Sequence, residues 1–176
     1  FKMSTRKANF VTLDELMGEV GDDVTRFFFL MRSPNTHLEF DISQAKEAGE
    51  KNPVFYLQYA HARIQSILRK ADEIIENAGS SDLDLTLLAH ESEIVLIKKL
   101  LGFPDAIQSA AIHRELHKLI TYLNELASDF TSFYHDCRII GEPEDLMKAR
   151  SALALATASV LKNGLTILGI QAPNQM

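Results

Sequence analysis

The chain has one cysteine, Cys137, in 176 residues, which excludes an internal disulfide and fits a reducing cytosol. No apolar run approaches the roughly 18 to 20 residues of a membrane span. No secretory signal is expected either, since Phe1-Lys2-Met3 leads straight into polar sequence. These absences predict a cytoplasmic protein with no membrane association. Positive charge is not in excess: the net charge of −6 argues against sequence-blind adhesion to nucleic acid, which needs surplus lysine and arginine to displace counterions. A chosen surface remains open, because Lys2, Arg6 and Lys7 stand together without an acid, and Arg63, Arg69 and Lys70 share one stretch. Internal repeats, heptad runs and low-complexity tracts are also lacking. What is present is ordinary globular material, 46% hydrophobic and 24% charged, long enough for one domain or a domain with a small preceding module. Phe1 in place of an initiator methionine suggests a piece of a longer chain.

Residues 9–51 read as a small mixed module. Asn9-Phe10-Val11-Thr12-Leu13 is rich in β-formers and predicts a short strand. Thr12 with Glu15 forms a capping box for a helix from Asp14 to Val20, ended by Gly21. A second helix is expected over Asp22 to Arg32, stopped by Ser33-Pro34-Asn35. Leu38-Glu39-Phe40-Asp41 is a second candidate strand, and Ser43 a cap for a helix towards Glu50. From Asn52, as N-cap to Pro53, helices follow one another. Val54, Leu57, Ala60, Ile64, Ile67, Leu68 and Ala71 recur at three- and four-residue steps, the period of a buried helical stripe. A loop is expected over Ala78 to Asp84, a helix over Glu91 to Leu101, and another opened by Pro104. Residues 113–140 predict one long helix ended by Gly141, and Pro143 starts the last, whose alanines allow close approach of its neighbours. The fold class expected is mainly α, a helical bundle.

Two features could carry chemistry. Lys2-Met3-Ser4-Thr5-Arg6-Lys7 places three cations and two hydroxyls together, a set that can surround a polyphosphate or simply be a basic, solvated terminus. On the helix after Pro53, Asn52, Tyr56, Tyr59 and Arg63 follow steps of four, three and four, so they form a stripe of their own beside the aliphatic one. Aromatic faces next to a guanidinium suit unstacked RNA bases, and they equally suit packing against a neighbouring helix. His113 and His117 are four apart, but the order His-Arg-Glu-Leu-His and the lack of a third ligand argue against a metal. No metal site is expected. His61 reads as a hydrogen-bonded structural residue and Cys137 as a small core residue.

The segment Lys2 through Leu13 resembles the KMSKS-type signature loop of class I aminoacyl-tRNA synthetases, in the form typical of arginyl-tRNA synthetases. Arg26-Phe27-Phe28-Phe29-Leu30, Tyr59-Ala60-His61-Ala62-Arg63-Ile64, Ser132-Phe133-Tyr134 and the ending Leu168-Gly169-Ile170-Gln171-Ala172-Pro173 with Met176 resemble that family in the same order. The ending also suggests Met176 as the natural C-terminus. The resemblance implies residues 1–8 as the end of a catalytic domain, 9–51 as a connecting module with the α/β character of a stem-contact fold, and 52–176 as an all-helical anticodon-binding domain. It implies an enzyme that joins arginine to tRNA(Arg) through arginyl-adenylate, with ATP as substrate and magnesium expected. Lys2, Ser4 and Arg6 would stabilise charge developing on the ATP phosphates, with Met3 and Thr5 shaping the loop. Thr5 departs from the pattern by standing where a second lysine belongs, and Ala8 replaces a glycine common in the family. The positions implied for the anticodon loop and stem are Tyr56, Tyr59, Arg63, Tyr134, Arg138 and Met176.

No nucleotide-binding βαβ unit or HIGH-type motif is present in the sequence. ATP and L-arginine are therefore expected to bind through a catalytic domain outside this chain, and the chain alone is expected to be inactive. The alternatives are the equivalent domain of a cysteinyl- or methionyl-tRNA synthetase, and a helical protein-interaction module with no RNA role.

Overall fold

The computed structural model describes residues 11–33, 35–36, 40–47, 49, 52–75 and 83–176. Lys2, Ser4 and Arg6, Asn9 and Phe10 of the first candidate strand, Leu38 and Glu39 of the second, and most of the loop expected over Ala78 to Asp84 lie outside the described residues. The elements are α1 (Leu13–Val20), α2 (Asp22–Leu30), α3 (Ile42–Lys46), α4 (Pro53–Ile75), a 3-10 turn (Leu85–Leu87), α5 (Glu91–Leu101), α6 (Phe103–His113), α7 (Leu116–Asp136) and α8 (Glu144–Ile167).

The helix starts follow from local chemistry. Thr12 caps α1 through a reciprocal box: Glu15 N donates to Thr12 Oγ1 at 3.2 Å and Thr12 N to Glu15 Oε2 at 2.8 Å. Gly21 then turns the chain into α2 at φ 85°, a left-handed value that disfavours a side chain. Asn52 caps α4, its Oδ1 accepting from Val54 N at 3.1 Å, while its amide donates to the Ala45 and Glu47 carbonyls. His90 caps α5, paired reciprocally with Glu93.

Three expectations need correction. Asp41, not Ser43, caps α3, accepting from both Ser43 N and Gln44 N; a carboxylate just before the helix reaches the free N–H groups better than a hydroxyl already inside it. Among the described residues the preceding module holds helices and no strand, and Leu13 opens α1 instead of closing a strand. The helix expected over 113–140 is interrupted at both ends. Arg114 adopts a left-handed conformation, φ 56° and ψ 41°, and Glu115 N returns to the Ala110 carbonyl at 2.9 Å, closing α6 before α7 begins. At the other end α7 stops at Asp136 and Cys137 is extended. Cys137 and Ile139 are both 1% exposed, the every-second-residue burial of extended chain. Arg150 holds this segment by donating to the Arg138 carbonyl at 2.6 Å and, through Nε, to buried Glu93 at 2.7 Å.

The core lies where α4, α7 and α8 meet, with α5 and α6 covering α7 and with α2 and α3 closing the end near the start of α4. Phe27, Leu57, Ile64, Leu123, Phe133 and Leu161 are fully buried within it. Ala149, Ala154 and Ala158 face this core from α8. Gly164 permits the tightest approach, since a Cβ there would sit 2.5 Å from a Leu123 methyl. No helix is long and apolar enough to cross a membrane among the described residues.

Candidate nucleic-acid interface

At 3.6 residues per turn, α4 divides into three faces. The aliphatic face, Val54, Leu57, Ile64 and Leu68, is buried. A polar face on the order of 140° from the tyrosine stripe receives the chain end: Gln58 Nε2 donates to the Gln171 carbonyl at 3.0 Å, His61 Nδ1 lies 2.9 Å from the Pro173 carbonyl, and Arg69 reaches the Asn174 carbonyl at 3.3 Å. A carbonyl only accepts, so His61 Nδ1 carries the proton, and Gln65 Nε2 approaches its other nitrogen at 3.4 Å. This fully buried ring is a fastener for the tail. Asp23 completes the network, accepting from Gln58 Nε2 and Gln171 N.

The third face carries Tyr56, Tyr59 and Arg63, and α7 meets it to form a shallow concavity of ≈ 190 Å³ lined also by Ala60, Phe130, Thr131 and Tyr134. Its walls are organised by ring contacts. Phe130 and Tyr134, one turn apart, stack at 6.1 Å and 14°, and the Arg63 guanidinium lies over the Tyr134 ring at 5.1 Å, a cation–π geometry. Tyr56 is half-buried, whereas Tyr59 is 45% exposed and Arg63 is exposed. The lining includes no acid. The Thr131 hydroxyl donates back to the Ala127 carbonyl at 2.9 Å, leaving its oxygen as an acceptor.

The structure therefore brings together four of the residues singled out from sequence: Tyr56, Tyr59, Arg63 and Tyr134. Asn52, the first member of the sequence stripe, is fully buried and spent on capping. Arg138 is exposed just beyond α7, outside the lining of the concavity. Met176 is 62% exposed on a tail whose anchors lie on a different face of α4. Phe130 and Thr131 were not singled out as site residues; Phe130 shows only as part of an apolar stripe, and its spacing of four from Tyr134 is the one signal that tied it to the site.

Other polar centres offer less. Burial pushes the Cys137 thiol up, with Ser92 Oγ at 3.5 Å opposing the shift, so the sulfur stays protonated and unreactive. His113 ends α6 and His117 lies in α7 across the break at Arg114. No group of three His, Cys, Asp or Glu side chains among the described residues is placed to hold a metal ion.

The family model for the DALR anticodon binding domain matches residues 57–176, a span that takes in Tyr59, Arg63 and all of α7. The sequence is similar to the arginine–tRNA ligase of Salinibacter ruber, 61% identical over 99% of this chain and 31% of that protein. It is 49% identical to the arginine–tRNA ligase of Symbiobacterium thermophilum, over 100% of this chain and 32% of that one. The fold is similar to that of Thermus thermophilus arginyl-tRNA synthetase, with a TM-score of 0.74 and 30% identity over 98% of this chain and 29% of that chain. The chain spans about a third of the length of the curated relatives it matches.

Proposed function

The chain belongs to the DALR anticodon-binding domain family, and on that premise we propose that it is the tRNA-binding region of an arginine–tRNA ligase, with the anticodon loop and stem of tRNA(Arg) as its ligand. The observation that carries the reading is the concavity between α4 and α7, where the Tyr56, Tyr59 and Tyr134 rings and the Arg63 guanidinium converge with no acid among them. An unstacked base can lie against such rings, each stack contributing on the order of 1 to 3 kcal/mol, while the guanidinium offers donors to base edges or phosphate. Similarity to arginine–tRNA ligases over nearly the full chain supports this identity over the cysteinyl and methionyl alternatives and over a module without an RNA role.

Arg138 extends the basic rim beyond Tyr134 in this reading, and Met176 touches RNA that wraps the exposed chain end. The intact enzyme uses ATP with magnesium and L-arginine through the remainder of its length, with Lys2, Ser4 and Arg6 on the ATP phosphates, and works in the cytoplasm. The test is a titration of the protein against several purified tRNAs at two salt concentrations. The expected result is preference for tRNA(Arg), weakened by salt, and a large loss in a Tyr59→Ala, Arg63→Ala double variant. Equal affinity for all tRNAs, or an unchanged affinity in the double variant, overturns it.

A further inference from the structure

We propose that Lys70 is a phosphate contact that carries the RNA path along α4 for two turns beyond Arg63. The inference rests on the reading of the tyrosine stripe as an RNA-binding face. Tyr56, Tyr59, Arg63, Ser66 and Lys70 follow steps of three and four, which keeps all five on one face. Seven residues separate Arg63 from Lys70, about 10.5 Å along the axis.

Three observations point to nucleic-acid backbone as the occupant. Residues 53–71 contain no acid although the protein as a whole carries −6, and they hold Arg63, Arg69 and Lys70, so this stretch of α4 is locally positive. Lys70 is exposed and enters none of the ion pairs among the described residues. Arg69, the neighbouring cation, points about 100° away and is engaged by the Asn174 carbonyl on the tail face. Two adjacent cations thus have different assignments, one holding the fold together and one facing outward in line with the aromatic site. Asp72, the first acid after this stretch, lies about 160° round the helix from Lys70, and Glu73, three residues after Lys70, is where the acid-free stripe ends.

A phosphate contact has a signature that a packing role lacks. It contributes to the salt dependence of binding, on the order of 0.7 to 0.9 in the slope of log affinity against log salt, and does so without regard to sequence. The experiment measures tRNA affinity across a salt series for the wild-type protein and for Lys70→Gln, Lys70→Arg, Arg69→Gln and Tyr59→Ala. Lys70→Gln is expected to flatten the slope by that amount and to weaken binding severalfold at low salt, for cognate and non-cognate tRNA alike. Lys70→Arg keeps the slope, Arg69→Gln leaves it unchanged, and Tyr59→Ala lowers affinity at constant slope. An unchanged slope in Lys70→Gln, or equal flattening by Arg69→Gln, overturns the assignment. If Tyr59→Ala weakens binding while Lys70→Gln leaves the slope intact, only this inference fails; if no tRNA binds, or Tyr59→Ala has no effect, the reading of the stripe fails with it. Thermal unfolding separates either result from loss of fold, because exposed Lys70 supports no buried contact.

Discussion

Tyr59 and Phe130 face the same concavity from opposite sides of the fold's energetics. Tyr59 is 45% exposed and Phe130 only 3%, so the two rings separate binding from stability. Tyr59→Ala is expected to lower tRNA affinity by on the order of 1 to 3 kcal/mol with an unchanged unfolding midpoint. Phe130→Ala is expected to cost about 3 to 5 kcal/mol of stability, because it removes a core ring that also supports Tyr134; denaturant unfolding and tRNA titration of both variants check the contrast. Tyr122 gives a second test. Its hydroxyl donates to the Lys99 carbonyl at 2.6 Å, and burial, with the Asp129 charge adding, pushes its pKa up to about 12. A folded pKa above the ordinary value near 10 means the folded state holds that proton more tightly. The stability so conferred is complete below about pH 10 and is lost as pH rises towards 12. One of the four tyrosines should accordingly titrate late in tyrosinate absorbance, and Tyr122→Phe should remove that late step. A titration in which all tyrosines ionise together contradicts the buried geometry.

Between α7 and α8 the close approach depends on a missing side chain. Gly164 faces Leu123, and a Cβ would come within 2.5 and 2.9 Å of its two methyls. Gly164→Ala therefore forces Leu123 out of its position, with an expected loss of about 1 to 3 kcal/mol that exceeds the small gain in helix propensity from alanine. Trimming the neighbour relieves the clash, so Gly164→Ala combined with Leu123→Ala should be less damaging than the sum of the two single changes. Strict additivity in urea unfolding would show that the helices do not meet here. The helix periods and most caps were legible in the sequence: Thr12 with Glu15, Asn52 before Pro53, and Glu91 to Leu101 are found where local chemistry predicts them. The break at Arg114 was not. No glycine or proline marks it, and a non-glycine residue accepts the left-handed conformation at a cost of order 1 kcal/mol or more because the surrounding packing requires α6 and α7 to part there.

For the whole molecule, the tail decides how the two ends of the sequence relate. Gln171, Pro173 and Asn174 lie along the polar face of α4, and Asp23 of α2 grips the Gln58 and Gln171 groups at the same place. The preceding module and the bundle thus share one core, with Val24, Phe27, Phe28 and Ala45 packed into it. At this scale the protein is expected to bind tRNA and not to charge it. An aminoacylation assay with ATP, arginine and tRNA(Arg) should show no turnover by the 176 residues, and any reproducible turnover overturns that expectation. Sequence alone determined the helical class, the starts of most helices, the resemblance to arginyl-tRNA synthetases and the tyrosine–arginine stripe on α4, because period, caps and motif are properties of residues a few positions apart. Only the tertiary structure decided that Phe130, Thr131 and Tyr134 stand opposite that stripe, that Asn52 is spent inside the fold, and that Met176 ends a tail fastened to another face of α4. Those facts depend on which helix faces meet, and that is set by contacts between residues far apart in the chain, more than a hundred positions in cases such as the His61 ring and the Pro173 carbonyl.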